Sequence, residues 1–370
     1  MKHKVLSRIS DGIFRYQAWP TITKDKDGVL YVGCSGHRLN HICPFGKDIM
    51  YVSNDEGETW SAPQIINDTY LDDRDAGMLA WGDGNLLLTW FSQDLELYRG
   101  RQQFEHSRAH QTTTGPLAVG AMDYVAALPE GTIEVGSFTK ISHDNGKTWS
   151  EKHLSPLSSP HGPCLLNDGT LLYVGTIVSK DGKYMEDKMD MTKRIQAWSS
   201  KDFGETWEQL SYLPVPENFD KASHEPYAIQ LANGDILAAV RFQNKTGPSR
   251  AFMSIYTTVS HDGGKTWEPA QYTGIDGAPP HLLQHSSGAV VMVYSQRCAS
   301  NASYARVSYD NGRTWSEEKK IGLDSPDWDH GYPSTVELAN GDLMTVYYQK
   351  CPGDTYNSIQ SVRYSLDELK

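Results

Sequence analysis

A cationic surplus, paired cysteines and long apolar runs are all missing from this chain of 370 residues. Its 34 Lys and Arg stand against 46 Asp and Glu, a formal net charge of −12. That balance argues against the broad basic surface that nucleic acid or an anionic membrane would need, although it leaves room for a local basic pocket. The five cysteines, Cys34, Cys43, Cys164, Cys298 and Cys351, are odd in number, widely spaced and without a C-x-x-C pair. This spacing argues against a disulfide framework or a structural zinc site, and reduced, packed thiols are the expectation. No run of about 18 apolar residues occurs, so no spanning helix is expected. The stretch Met1–Gly12 also lacks the apolar core of a signal peptide. The expected location is cytoplasmic if Met1 is the native start, and secreted or periplasmic with the signal removed otherwise. No pattern calls for a cofactor or a metal.

What is present is aromatic and repetitive. With 10 Trp and 20 Tyr, and without sustained helical periodicity, the profile is all-β. The octapeptide pattern Ser-x-Asp-x-Gly-x-Thr-Trp begins at Ser53, Ser142, Ser200, Ser260 and Ser308. Asp followed two residues later by Gly suits a tight turn, because the carboxylate can accept from backbone N–H groups just ahead and Gly tolerates positive φ. The closing Thr-Trp favours a strand whose indole covers a small core. Each copy reads as a hairpin turn with a packing plug, and self-similarity of this kind marks a repeat architecture.

A second repeat precedes the octapeptides. Apolar segments flank a Gly turn at Gly28, Gly84, Gly169, Gly234, Gly288 and Gly341, the strongest short hairpin signal. Six such hairpins predict six four-stranded antiparallel blades in one domain spanning 1–370, with an insertion at about 92–131 in blade 2. Blade 6 lacks an octapeptide, and Lys4–Ile9 is expected to supply its outer strand and close the ring.

The octapeptide is identified as the Asp-box, the BNR repeat of the sialidase superfamily of six-bladed β-propellers. The motif implies the fold far more strongly than any activity.

Strand alternation puts the starts of the inner strands, the ends of the second strands and the blade-2 insertion on one face, with the Asp-boxes on the other. Polar stretch Arg99–His110 of the insertion is expected to act as a lid. Counting back from each hairpin Gly, one register position carries Trp19, Asp75, Gly162, Glu225, Pro279 and Tyr332. The residue before it is Ala18, Arg74, His161, His224, Ala278 or Gly331. The second strands end in Arg38, Arg241 and Arg297. Titratable groups recurring where a core would want Val or Leu point to a ligand site.

The resemblance implies roles for some of these residues. Glu225 with Arg241 is similar to the family's nucleophile-polarising Glu and one arginine of its carboxylate clamp, and Tyr332, with Tyr347 after its hairpin, is similar to the nucleophilic Tyr. A neutral phenol is the fitting nucleophile where the anomeric carbon bears a carboxylate that would repel an anionic one. Two departures stand beside this. The family's clamp arginine in Arg-Ile-Pro is replaced by Ala18, and no Asp follows Arg38 within Leu39–Cys43, where the family's proton donor belongs and His41 stands instead. Either Arg74 supplies the missing charge, with Asp73, Asp75 or His41 as the proton donor, or the pocket is rebuilt for another substrate, the reading favoured here. The candidate set is Tyr332, Glu225, Asp75 and His41 for catalysis, and Arg38, Arg74, His161, His224, Arg241, Arg297 and Trp19 for binding. The expectation is a glycoside hydrolase that takes a terminal acidic sugar from a glycan. A polysaccharide lyase acting on a uronate and a non-catalytic glycan-binding propeller are the alternatives. A ring of His161, His224, His281 and His330 around a metal is disfavoured because the four share no register.

Overall fold

The computed structural model describes residues 1–95, 114–177, 190–216, 222–244, 252–297 and 300–370. Among them the strands form six antiparallel sheets arranged as the blades of a propeller. From the axis outward, blade 1 holds Tyr16–Lys24, Leu30–Arg38, Lys47–Ser53 and Gln64–Asn67. Blade 2 holds Asp72–Trp81, Asn85–Gln93, Gly136–Ser142 and His153–Ser155. Blade 3 is irregular. Its inner strand is reduced to Cys164–Leu165, while Leu157–Ser158 pairs with the other end of Leu171–Ile177. Blades 4 and 5 start at Ala222–Gln230 and Ala278–Gln284, and blade 6 at Gly331–Glu337.

The ring closes within blade 6. Lys2–Ser7 pairs antiparallel with Asn357–Tyr364, Lys2 opposite Arg363 and Val5 opposite Gln360. The closing strand thus starts two residues earlier than the sequence suggests and covers an otherwise open edge.

Strands such as Val290–Gln296 are buried almost throughout, because each sheet is covered on both faces by its neighbours. Leu237 and Ala239 of blade 4 pack with Val290, Met292 and Tyr294 of blade 5 in one such layer. Blades 2 and 3 approach so closely that a Cβ on Gly77 would fall 2.6 Å from the Gly162 nitrogen.

All six hairpin glycines have positive φ, as their turns require. In the Asp-boxes the signature residues bond one another. Asp55 Oδ1 accepts from Ser53 Oγ at 2.8 Å and from the Thr59 amide at 2.9 Å, and Oδ2 accepts from Thr59 Oγ1 at 2.6 Å. The same set recurs around Asp144 and Asp310. These bonds hold the Asp55 and Asp144 carboxyls down at about 2.

The described residues of the blade-2 insertion include a helix, Thr114–Ala126. Its Ala118 and Met122, one turn apart, pack on Ile42, Leu71 and Leu95. The stretch Arg99–His110, expected as a lid, lies outside the described residues. Cys34, Cys43, Cys164 and Cys351 are free and buried, and Cys298 lies outside the description. Among the described residues no helix is long and apolar enough to cross a membrane.

Candidate active site

The register position counted from the hairpin glycines has a distinctive backbone. Trp19, Asp75, Glu225 and Tyr332 have φ of 54°, 58°, 48° and 52°, and Gly162 has 71°. A bulky side chain rarely adopts this left-handed conformation, and the proline after Trp19, Glu225 and Tyr332 restricts it further. The ladder slips at each of these places, between Ala18 and Thr21, Arg74 and Gly77, His224 and Tyr227, and Gly331 and Ser334. A bulge of this kind re-aims a side chain, here at the start of every one of these inner strands. Strain repeated at one register across several blades marks a built site.

Two of these residues meet across the propeller. Tyr332 Oη donates to Glu225 Oε1, and Arg241 Nη1 donates to Glu225 Oε2. Burial alone would raise the Glu225 carboxyl, but Arg241, His224 and the Tyr332 hydroxyl hold it at about 2. Burial, with Glu225 and Asp75 nearby, pushes the Tyr332 phenol well above its ordinary value. The pair is therefore a carboxylate accepting from a neutral phenol. The Arg297 guanidinium lies 5.3 Å from the Tyr332 ring centre, and its Nε and Nη2 donate to the His330 carbonyl and the Tyr348 hydroxyl.

Asp75 stands beside this pair. Its Oδ1 is enclosed and has no hydrogen-bond partner among the described residues, next to a cavity of about 30 Å³ that it shares with His224, Glu225 and Ser159. Burial, reinforced by Glu225 and Asp72 and opposed by Arg74 and Arg38, raises its carboxyl to about 7.

On the blade-1 side, Ala18 is fully enclosed and Trp19 occupies the site floor, 1% exposed. The Arg74 guanidinium lies 4.3 Å from the Trp19 ring centre and that of Arg38 lies 4.8 Å away. His41 meets Trp19 edge-on at 5.1 Å, and its Nδ1 lies 2.9 Å from Asp329 Oδ1.

Apart from His224, the candidate residues fall into two groups. Tyr332, Glu225, Arg241, Arg297, Asp75, Arg74, Trp19 and His41 gather in one linked cluster. Arg38 and His161 are enclosed. Arg38, 0% exposed, donates from Nη1 and Nη2 to Asp72 at 2.6 and 3.1 Å. His161 lies in the central channel, its ring 5.0 Å from that of His281 and its Nδ1 3.2 Å from Thr21 Oγ1, and burial lowers it to about 3. Further along, the channel widens into a cavity of about 540 Å³ lined in part by His281, Tyr227 and Thr335. His224 Nδ1 lies 3.2 Å from Arg194 Nη2. Among the described residues no three His, Cys, Asp or Glu side chains gather as metal ligands.

Tyr348, not Tyr347, is the second tyrosine of the site. Tyr348 lies 6.0 Å from Tyr332, whereas Tyr347 packs with Val291, Val293 and Ala305 of blade 5. Adjacent residues of a strand point to opposite faces, so a shift of one residue exchanges site for core. Asp329, Tyr16 and Tyr348 were absent from the sequence candidates. An Asp two residues before the blade-6 inner strand was the available signal, and it sits in an irregular loop where the register count does not reach.

A family model described as "BNR repeat-like domain" matches residues 121–366. Among solved structures, a protein of unknown function from Dyadobacter fermentans is 20% identical with a TM-score of 0.74, over 98% of this chain and 97% of that one. The intramolecular trans-sialidase from Ruminococcus gnavus is 13% identical with a TM-score of 0.67, over 99% and 98%. The α-L-arabinanase from Penicillium chrysogenum is 14% identical with a TM-score of 0.64, over 100% and 99%. Identities at this level carry the fold and not the activity. A search among curated proteins found no match. Matched by the family model over more than half its length and folded as six blades, the chain belongs to the BNR repeat-like domain family and is a sialidase-like β-propeller.

Proposed function

We propose that the protein is a glycoside hydrolase that removes a terminal acidic sugar from a glycan, with Tyr332 as nucleophile and Glu225 as its proton acceptor. The observation that carries this reading is the Tyr332–Glu225 hydrogen bond, with Arg241 on the second carboxylate oxygen. A buried Tyr keeps its proton at neutral pH, and a carboxylate already bonded to it can take that proton as the phenol attacks. Arg241 and Arg297 put positive charge beside this pair, and Arg74 stands over the neighbouring Trp19, which suits a substrate carboxylate next to the reacting carbon. The sialidase and arabinanase folds among the similar structures support carbohydrate as the substrate class.

The test is turnover of a panel of acidic and neutral aryl glycosides by wild type, Tyr332→Phe and Glu225→Gln. Both variants should lose about 100-fold or more in kcat; Tyr332→Phe should leave the melting temperature nearly unchanged, whereas Glu225→Gln, which leaves Arg241 without its anionic partner, should lower it. Full activity in both would overturn the mechanism. A polysaccharide lyase is the second reading, because a neutral imidazole such as His41 beside several arginines could abstract a proton α to a uronate carboxylate. Its mark is an unsaturated product absorbing in the far ultraviolet, which hydrolysis does not make. Glycan binding without turnover of any substrate would instead favour a binding module.

A further inference from the structure

His41 stands in the loop Leu39–Gly46, where the resemblance placed a carboxylic acid. The imidazole is held by a network of its own. Asp329 Oδ1 lies 2.9 Å from His41 Nδ1, and the same carboxylate accepts from the Tyr16 hydroxyl at 3.0 and 3.1 Å and from the Tyr348 hydroxyl at 3.0 Å. Burial alone would raise the Asp329 carboxyl, but His41, Arg297 and the Tyr16 hydroxyl hold it well below the ordinary carboxylate range. An ionised carboxylate only accepts hydrogen bonds, so His41 Nδ1 carries the proton that faces it. That leaves Nε2 as the nitrogen able to gain or lose a proton. The His41 side chain is 28% exposed, and Trp19 lies against both His41, at 5.1 Å, and Tyr332, at 6.4 Å. The carboxylate comes from the loop before blade 6 and the imidazole from blade 1, so the pair spans the seam beside the nucleophile.

We infer that His41 is the proton carrier of this site, with Asp329 as its positioning residue. The inference rests on the hydrolase reading of Tyr332 and Glu225. In the first step the Tyr332 oxygen bonds to the anomeric carbon while the bond from that carbon to the leaving oxygen breaks, its electron pair going to that oxygen. The His41 imidazolium gives the leaving oxygen a proton from Nε2, and Glu225 takes the phenol proton. In the second step a water oxygen displaces the Tyr332 oxygen from the carbon. Neutral His41 takes a proton from that water, and Glu225 returns its proton to the departing phenolate.

The groups facing His41 are Asp329, Tyr16, Tyr348, Arg74 and Arg297. Burial lowers the imidazole, Arg74 and Arg297 add to this, and Asp329 opposes it. The imidazolium needed for the first step therefore forms at acidic pH. Cleavage of a poor leaving group should decline as pH rises through a value below 6.5.

The experiment compares wild type, His41→Gln and Asp329→Asn. The probes are 4-methylumbelliferyl glycosides of N-acetylneuraminic, glucuronic and galacturonic acid, and the methyl glycoside of whichever sugar is released. Methylumbelliferone leaves as an anion without protonation, whereas methanol does not. His41→Gln should lose about 100-fold or more in kcat/KM on the methyl glycoside and less than about tenfold in kcat/KM on the aryl glycoside, because kcat/KM reports the first step alone. Asp329→Asn should fall between and shift the pH profile. Equal losses on both probes, or none on either, would overturn the inference.

A second measurement does not depend on turnover. In ring ¹⁵N–¹H correlation spectra, with the His41 signals identified by their loss in His41→Gln, His41 should be protonated at Nδ1 at pH 8 and should shift toward Nε2–H in Asp329→Asn. An Nε2–H tautomer in the wild type overturns the assignment, whatever the activity. A wild type that cleaves no probe but shows the Nδ1–H tautomer counts against the hydrolase reading and leaves the His41–Asp329 pairing supported.

Discussion

Arg74 of blade 2 lies over the indole of Trp19 of blade 1, 4.3 Å from guanidinium carbon to ring centre. Trp19 follows Ala18, the position where the sialidase resemblance calls for an arginine. The neighbouring blade thus sets a guanidinium over the ring next to the position where blade 1 carries Ala18.

Arg74→Ala should raise KM for an acidic glycoside by about 10- to 100-fold, the loss of one charge-assisted hydrogen bond, and alter kcat less. Steady-state kinetics on an acidic sugar and its neutral counterpart checks this. An equal change on both substrates would assign Arg74 to packing on Trp19 instead.

Asp75 makes the stability of the protein depend on pH in an unusual direction. Its carboxyl titrates at about 7 when folded, against an ordinary 3.8. Between these values the folded chain holds a proton that the unfolded chain has released, so this contribution is full below about 4 and lost as pH rises through 7. Asp75→Asn should be more stable than wild type at pH 8, by on the order of 1–4 kcal/mol. The difference should vanish near pH 4, and denaturant unfolding at the two pH values measures it.

Arg38 should behave as a structural residue. It and Asp72 are fully enclosed and bond through both guanidinium nitrogens. Removing one partner strands a buried charge, so Arg38→Ala should cost about 3–5 kcal/mol. Its effect should appear as a lower melting temperature and a smaller folded fraction.

Asp310→Ala should lower the melting temperature by opening the Asp-box turn, whose Thr314 amide and hydroxyl both donate to that carboxylate. Turnover should stay within about twofold of wild type, because the box lies on the face opposite the inner-strand starts. Loss of activity without loss of stability would contradict that placement.

The parts of this molecule legible in the sequence are those governed by short-range bonds. An Asp-box is closed by bonds between residues two and four apart, so its spacing alone identifies the turn. A count back from Gly234 or Gly341 reaches Glu225 and Tyr332 because both inner strands carry the same slip at the same distance from the turn. The Asp329–His41 pair escaped because 288 residues separate its members and Asp329 lies in a loop with no period. Arg38 was a candidate because register fixes a position along a strand and not what a long side chain finds once it is buried. The Tyr347–Tyr348 exchange is the smallest such error, one residue along a strand of period two.

The pairing of Lys2–Ser7 with Asn357–Tyr364 also sets an order of events. During synthesis Lys2–Ser7 emerges before the other strands of the ring yet is paired last, since its partner follows only after the five intervening blades. Until then Lys2–Ser7 has no strand to pair with, and Trp19, Tyr16 and His41 wait without Asp329, Tyr332 and Tyr348. The ring and the cluster of side chains at its seam are therefore completed together, when the circle shuts.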